Sequence, residues 1–338
     1  MRQLRLSSNW ALALAAVAFA ACIVLTGAAI AGPPGHTVRV GILGQIPPTF
    51  DPTANPDQRE LVEGLRELGY TPGHDILFEY RSAPGNAEAL PQLAEELVRS
   101  KVDILLTWAL GPALAAAKVT KTVPIVMVGA PDVVDAGLVT SLARPGGNVT
   151  GLSVNAAEIA AKRVQLLREA VPGLSRIAVL WNASVAGMVL QFHNIEQALP
   201  LLGVVLQSVR VAGSNDLDQA FAAIEGAHPD GLVVLYGPMH GNDQPRITEF
   251  VTKHKIPTMF QAGQGVKSGG LMEFGPKFEP MFRRAAFYVD RIANGADPAT
   301  LPVEEPARFD LVINLKAAQS MGIAIPQSLL LRADRIVE

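Results

Sequence analysis

Trp108, Trp181, Asp132 and Glu273 are side chains suited to gripping a small molecule, and no identifiable nucleophile–base pair accompanies them. The two indoles offer flat apolar faces for a planar ligand. The two carboxylates offer a counter-charge to an ammonium group. Thr107-Trp108-Ala109-Leu110-Gly111 reads as a strand end turning into a helix, whose unpaired N–H groups suit a carboxylate. Each of these has a purely structural alternative. Trp108 and Trp181 can plug a sheet edge, Thr107 or water can cap the helix, and Asp132 and Glu273 can be turn or surface acids.

Covalent and metal chemistry find no such support. The sequence has no G-x-G-x-x-G after a strand, no G-x-x-x-x-G-K-[ST], no G-x-S-x-G and no H-E-x-x-H. Gly263-Gln264-Gly265-Val266-Lys267-Ser268-Gly269 resembles a phosphate loop only superficially and reads as a turn, because its spacing is wrong. The six histidines are scattered singly, and His240, near a predicted cleft edge, has no metal-ligand partner at suitable spacing. No catalytic residue, metal or cofactor is expected.

The elements that must position these side chains come in two similar cycles. One runs from Val38-Arg39-Val40-Gly41-Ile42-Leu43 to Val123-Pro124-Ile125-Val126-Met127-Val128. The other runs from Ser175-Arg176-Ile177-Ala178-Val179-Leu180 to Ile256-Pro257-Thr258-Met259-Phe260. Each alternates strands with single amphipathic helices, and each has a Leu-Gly step before its second strand, at Leu68-Gly69 and Leu202-Gly203. Strands separated by single helices predict right-handed βαβ units and parallel sheets. The fold class is therefore α/β, with two Rossmann-like lobes and a cleft between them. In the first lobe a helix is expected over residues 55–68, with Asp57 as a candidate cap after Pro56.

Ligands of open parallel sheets bind beyond the carboxyl ends of the strands. That rule selects Gln45, Thr107, Trp108, Ala109, Leu110, Gly129 and Asp132 in the first lobe. In the second it selects Trp181, Asn182, Tyr236, Gly237 and Gln261, and Glu273 stands at a predicted crossing between lobes. The expected divisions are residues 36–150 for the first lobe, with 276–306 returning to it, and 151–275 for the second, with 307–338 returning. Several crossings make a restrained, multi-strand hinge.

Residues 1–31 read as a secretory signal peptide. Arg2 and Arg5 precede an apolar run that ends in Ala29-Ile30-Ala31. The alternatives are a retained membrane anchor and lipid attachment at Cys22, although Phe19 fits poorly before such a cysteine. Cys22 is the single cysteine, so a cleaved chain has no disulfide. Cleavage removes two arginines and no acid, moving the formal charge from −3 to −5, which argues against a nucleic-acid surface. The expected location is periplasmic.

Several stretches resemble a known family. They are Leu65-Arg66-Glu67-Leu68-Gly69-Tyr70, Ser141 through Gly151, Leu180-Trp181-Asn182, Gly269-Gly270-Leu271-Met272 and Phe282-Arg283-Arg284-Ala285-Ala286. Leu301-Pro302-Val303-Glu304, Leu311 through Lys316 and Ile325 through Leu330 complete the set. Together they resemble ABC transporter substrate-binding proteins of the tryptophan/tyrosine-uptake type. The resemblance implies a type I periplasmic-binding fold without catalytic residues. Its lobes close on a small molecule, an amino acid or an aromatic or carboxylate compound, and present it to a membrane permease driven by a separate ATPase. It matches Asp132 and Trp181-Asn182 to family positions, and the expected state is a monomer. Ala109-Leu110-Gly111-Pro112 and Glu273-Phe274 depart from the family pattern. A ligand-sensing ectodomain and a periplasmic enzyme on the same fold are the alternative functions.

Overall fold

The chain opens with β1 (Val38–Gly44), α1 (Pro56–Glu67), β2 (Ile76–Ser82), α2 (Leu90–Arg99), β3 (Ile104–Trp108), α3 (Leu110–Val119), β4 (Ile125–Pro131) and β5 (Val149–Val154). These ranges come from a computed structural model that describes residues 33–45, 49–84, 86–235, 243–261, 263, 265–306 and 308–338. The five strands are parallel, in the order β2-β1-β3-β4-β5. β4 is buried at every position, as a strand covered on both faces must be.

The second half continues with α4 (Ala156–Ala170), β6 (Arg176–Asn182), α5 (Ala186–Ala198), β7 (Val205–Val211), α6 (Leu217–Ala227), β8 (Gly231–Val234), α7 (Asp243–Lys253), β9 (Thr258–Phe260) and β10 (Met272–Pro276). It ends with α8 (Phe278–Ala293), β11 (Phe309–Asn314), α9 (Leu315–Met321), α10 (Gln327–Leu330) and β12 (Arg335–Val337). The second sheet has the order β12-β11-β10-β9-β8-β6-β7, parallel except where β11 runs against β10.

Three crossings join the lobes. The first follows β5, where Asn155 caps α4 by accepting the Glu158 N–H at 3.0 Å. The expected boundary between residues 150 and 151 instead falls inside β5, which pairs with β4 along its whole length. The β5 backbone needs Gly151 at φ +124°, because a Cβ there would lie 2.2 Å from the Met127 carbonyl oxygen. The second crossing is β10 into α8. That helix returns to the first lobe, where Phe282, Ala285, Ala286 and Val289 join a core with Ile42, Leu61, Leu65 and Val128. The third follows residues 301–304, which lie along β5 through Thr150 Oγ1 to the Leu301 carbonyl and the Glu304 N–H to the Gly151 carbonyl. β11 to β12 then complete the second lobe, and Leu311, Ile313, Ala318 and Leu329 enter its core.

The cap of α1 is Asn55, not Asp57. The Asn55 side chain accepts the Gln58 N–H at 3.0 Å, and Pro56 takes the first helical position, leaving Asp57 inside the first turn.

Candidate functional site

The carboxyl ends of the first sheet carry an aromatic wall. Trp108, the last residue of β3, meets Phe282 edge-on with centroids 5.1 Å apart, and lies 6.4 Å from Phe278. Both phenylalanines come from α8, so the second crossing builds this wall. Phe50, Gln58 and Tyr80 close a small apolar pocket against Trp108 and Phe282. Gly129 makes room for it. Its φ is +68°, and a Cβ there would stand 2.8 Å from the Phe278 ring.

Two residues at this edge hold backbone angles that side chains other than glycine rarely adopt. Ala109 sits at φ 72°, ψ 173° ahead of α3, and Asp132 has φ 44° just after β4. Such outliers collect where a binding surface is held in a fixed shape. The Ala109 N–H donates to the Val128 carbonyl at 3.0 Å. Leu110 and Gly111 follow as the first helical residues, whose N–H groups have no acceptor within the helix. Leu110 itself is buried. The buried Gln45 carboxamide lies over this end, its Oε1 3.3 Å from where a Gly111 Cβ would be. Thr107 is fully buried with its hydroxyl unpaired, so it does not cap α3.

In the second lobe Trp181 belongs to the core. Its ring stacks on Phe192 with centroids 4.3 Å apart and planes 9° apart, and its indole N–H donates to Ser208 Oγ at 3.0 Å. Asn182 is buried and accepts the Ser184 N–H at 2.9 Å, shaping the turn after β6. Gln261, just past β9, donates to Gln191 Oε1 at 2.9 Å. The same oxygen accepts Arg163 Nη1 at 2.8 Å, and Arg163 Nε donates to the Phe274 carbonyl at 2.9 Å. This polar row of Arg163, Gln191 and Gln261 lies at the carboxyl edge of the second sheet.

The acids are already engaged. Glu273 is buried under the turn that follows Gln261. It accepts the Val266 N–H at 3.1 Å and lies 3.7 Å from the Arg335 guanidinium. Burial holds its carboxyl above the ordinary range despite those partners. Asp132 accepts the Ala156 N–H at 3.0 Å, at the start of α4, and the Asn194 amide at 3.2 Å. Burial raises its pKa as well, with a further push from Asp135. Glu305 is raised by burial first and then by Asp132 and Glu158, so this corner is acidic.

The lobes touch beside this corner. Asn194 lies on α5 of the second lobe, a Cβ on Gly187 would meet Pro131 at 3.2 Å, and Leu190 packs against the first-lobe core. Tyr236, Gly237, His240, Cys22 and residues 1–31 lie outside the described residues. Among the described residues, no group of three or more His, Cys, Asp or Glu is placed to hold a metal ion.

Arg163, Gln191, Phe278 and Phe282 are absent from the set selected by strand ends, because they come from helices. A signal for Arg163 was present. It shares the helical stripe of Ile159, Ala160, Val164 and Leu167, all buried, so its spacing alone puts a cation on an apolar face.

Two Rossmann-like lobes of largely parallel strands, joined by three crossings, define a type I periplasmic-binding architecture. The chain belongs to the ABC transporter substrate-binding protein family, whose model matches residues 52–337. It is 24% identical over 293 residues to a tyrosine-binding protein of Clostridioides difficile strain R20291, covering 84% of this chain and 82% of that one. A conserved domain protein from Vibrio cholerae superposes with a TM-score of 0.81 at 29% identity, covering 89% of this chain and 99% of the other. An ABC domain from Streptococcus pneumoniae in complex with L-Trp gives 0.80 at 24% identity, covering 89% and 100%.

Proposed function

We propose that this protein is the extracytoplasmic receptor of an ABC importer. It binds one small aromatic or carboxylate compound, such as an aromatic amino acid, in the cleft and delivers it to a membrane permease. The observation that carries the reading is the pairing of an aromatic wall (Trp108, Phe278 and Phe282) with a polar row on the other lobe (Arg163, Gln191 and Gln261). An apolar face with a few placed polar groups is how small-molecule clefts combine affinity with orientation. A named tyrosine-binding relative and a tryptophan-bound structural neighbour support the aromatic assignment. Asp132 and the N–H groups at Leu110 and Gly111 are further candidates for ligand contact. The role is binding without turnover, by a monomer exported with removal of residues 1–31. No described helix is long and apolar enough to cross a membrane.

Thermal-shift screening of L-tyrosine, L-tryptophan, benzoate and aliphatic amino acids, followed by calorimetric titration, tests the reading. A ligand that binds only the native state raises its apparent stability. One aromatic compound bound per chain, recovered unchanged, is expected. Consumption of the compound, or a preference for aliphatic amino acids, overturns it. Loss of uptake of that compound on deleting the gene tests delivery, and intact mass of the exported protein tests cleavage near Gly32.

A further inference from the structure

Arg163 is the only lysine or arginine buried among the described residues, at 3% exposure, and no carboxylate pairs with it. Its Nε and Nη1 are committed to the Phe274 carbonyl and to Gln191 Oε1. Among the described residues its Nη2 has no acceptor, so one face of the fork is left for a further partner. Burial draws the guanidinium down to about 9, which still leaves it cationic at neutral pH.

A buried cation without a counter-ion is costly, and proteins keep one where an anion completes it. Two neutral acceptors do not require a charge, because a glutamine could donate to the Phe274 carbonyl. The geometry indicates where the anion comes from. Gln191 lies on α5 beside Leu190 and Asn194, both of which touch the first lobe. Gln261 stands at the carboxyl end of β9. Phe274 packs against the cores of both lobes. These neighbours put the guanidinium at the level of the cleft, on the second-lobe side. Gln191 and the Phe274 carbonyl hold the fork in one orientation, which suits the planar, two-point recognition of a carboxylate.

We propose that Arg163 is the carboxylate-recognising group of the cleft, so that the ligand class is aromatic carboxylates, with or without an α-ammonium group. This rests on the reading of the cleft as an aromatic binding site. Recognition from α4 makes the acid essential and the ammonium secondary, since Asp132 and Glu273 are each engaged by protein groups.

Three matched pairs test it by calorimetry on the mature protein: L-tyrosine against tyramine, L-tryptophan against tryptamine, and benzoate against benzyl alcohol. The acid of a pair should bind about tenfold to a hundredfold tighter than its acid-free partner, the range of a hydrogen bond to a charged group. Arg163→Gln should erase most of that preference, and Arg163→Lys should keep part of it. Gln191→Met leaves the charge in place and should weaken acid binding less than Arg163→Gln does. The wild-type comparison stands even where an Arg163 variant fails to fold. Equal binding within the pairs, or an Arg163→Gln protein that keeps the preference, overturns the anchor and leaves the aromatic cleft intact. The second result would place the acid at the start of α3. Binding of none of the six overturns both readings.

Discussion

The Asn194 side-chain amide donates to the Asp132 carboxylate at 3.2 Å, joining α5 of the second lobe to the edge of the first-lobe sheet. The other Asp132 oxygen accepts the Ala156 N–H at the start of α4. One carboxylate thus ties together a strand end, the first crossing and a helix of the second lobe.

Asn194→Ala should weaken ligand binding and leave folding intact, because it removes a polar contact between the two lobes. A hydrogen bond to a charged group contributes about 1.5–3 kcal/mol, less where water competes, so a loss of about tenfold is expected. Titration measures the loss, and small-angle scattering should show a more expanded ligand-free protein. Unchanged affinity and radius would mean that this contact plays no part in binding.

Asp57 and Glu279 face each other at the starts of α1 and α8, and burial followed by this like charge pushes Asp57 up to about 7. The folded protein therefore holds a proton that the unfolded chain releases from pH 3.8 upward. In that window stability falls as pH rises, and the full cost is present above about pH 7. Asp57→Asn should leave the melting temperature near that of the parent at pH 4 and raise it by roughly 2–4 °C at pH 8. A larger gain at pH 4 than at pH 8 would contradict the sign.

The order of strands and helices was legible because parallel strands covered on both faces read as apolar runs, Ile125 to Val128 being one. The aromatic wall was only half legible. Trp108 stands at a strand end, which the sheet rule selects, but Phe278 and Phe282 reach it from a helix more than 160 residues further along the chain. No local pattern shows that such a helix returns. Trp181 also stands at a strand end, and there the same rule cannot tell which face of the sheet a side chain takes. Ser208 and Phe192 supply that information, and both lie in other elements.

Ala109 occupies φ 72°, ψ 173°, a conformation almost reserved for glycine. Ala109→Gly should stabilise the fold by about 1 kcal/mol, the strain relieved less the extra freedom of the unfolded chain. The reverse change at Gly151, where a Cβ would overlap the Met127 carbonyl, should destabilise by more than about 3 kcal/mol. Urea unfolding of both variants measures this. A stable Gly151→Ala protein would show that β4 and β5 can separate without loss.

The two tryptophans should separate binding from stability. Trp181 is 8% exposed, stacked on Phe192 and hydrogen-bonded to Ser208, so Trp181→Ala should cost about 3–5 kcal/mol of folding stability. Trp181→Phe keeps much of the packing and removes the indole N–H. It should cost less and leave affinity within about twofold, because its loss falls on a contact inside one lobe. Trp108 is partly exposed on the wall, meeting Phe282 by its edge. Trp108→Ala should lower affinity roughly tenfold, since aromatic stacking adds about 0.5–1.5 kcal/mol to the area buried on the ligand. Urea unfolding and calorimetric titration on the same samples read the two quantities apart. A Trp181→Phe protein of parental stability that binds as weakly as Trp108→Ala would put the Trp181 ring on the ligand, and the second-lobe wall would then extend to the end of β6.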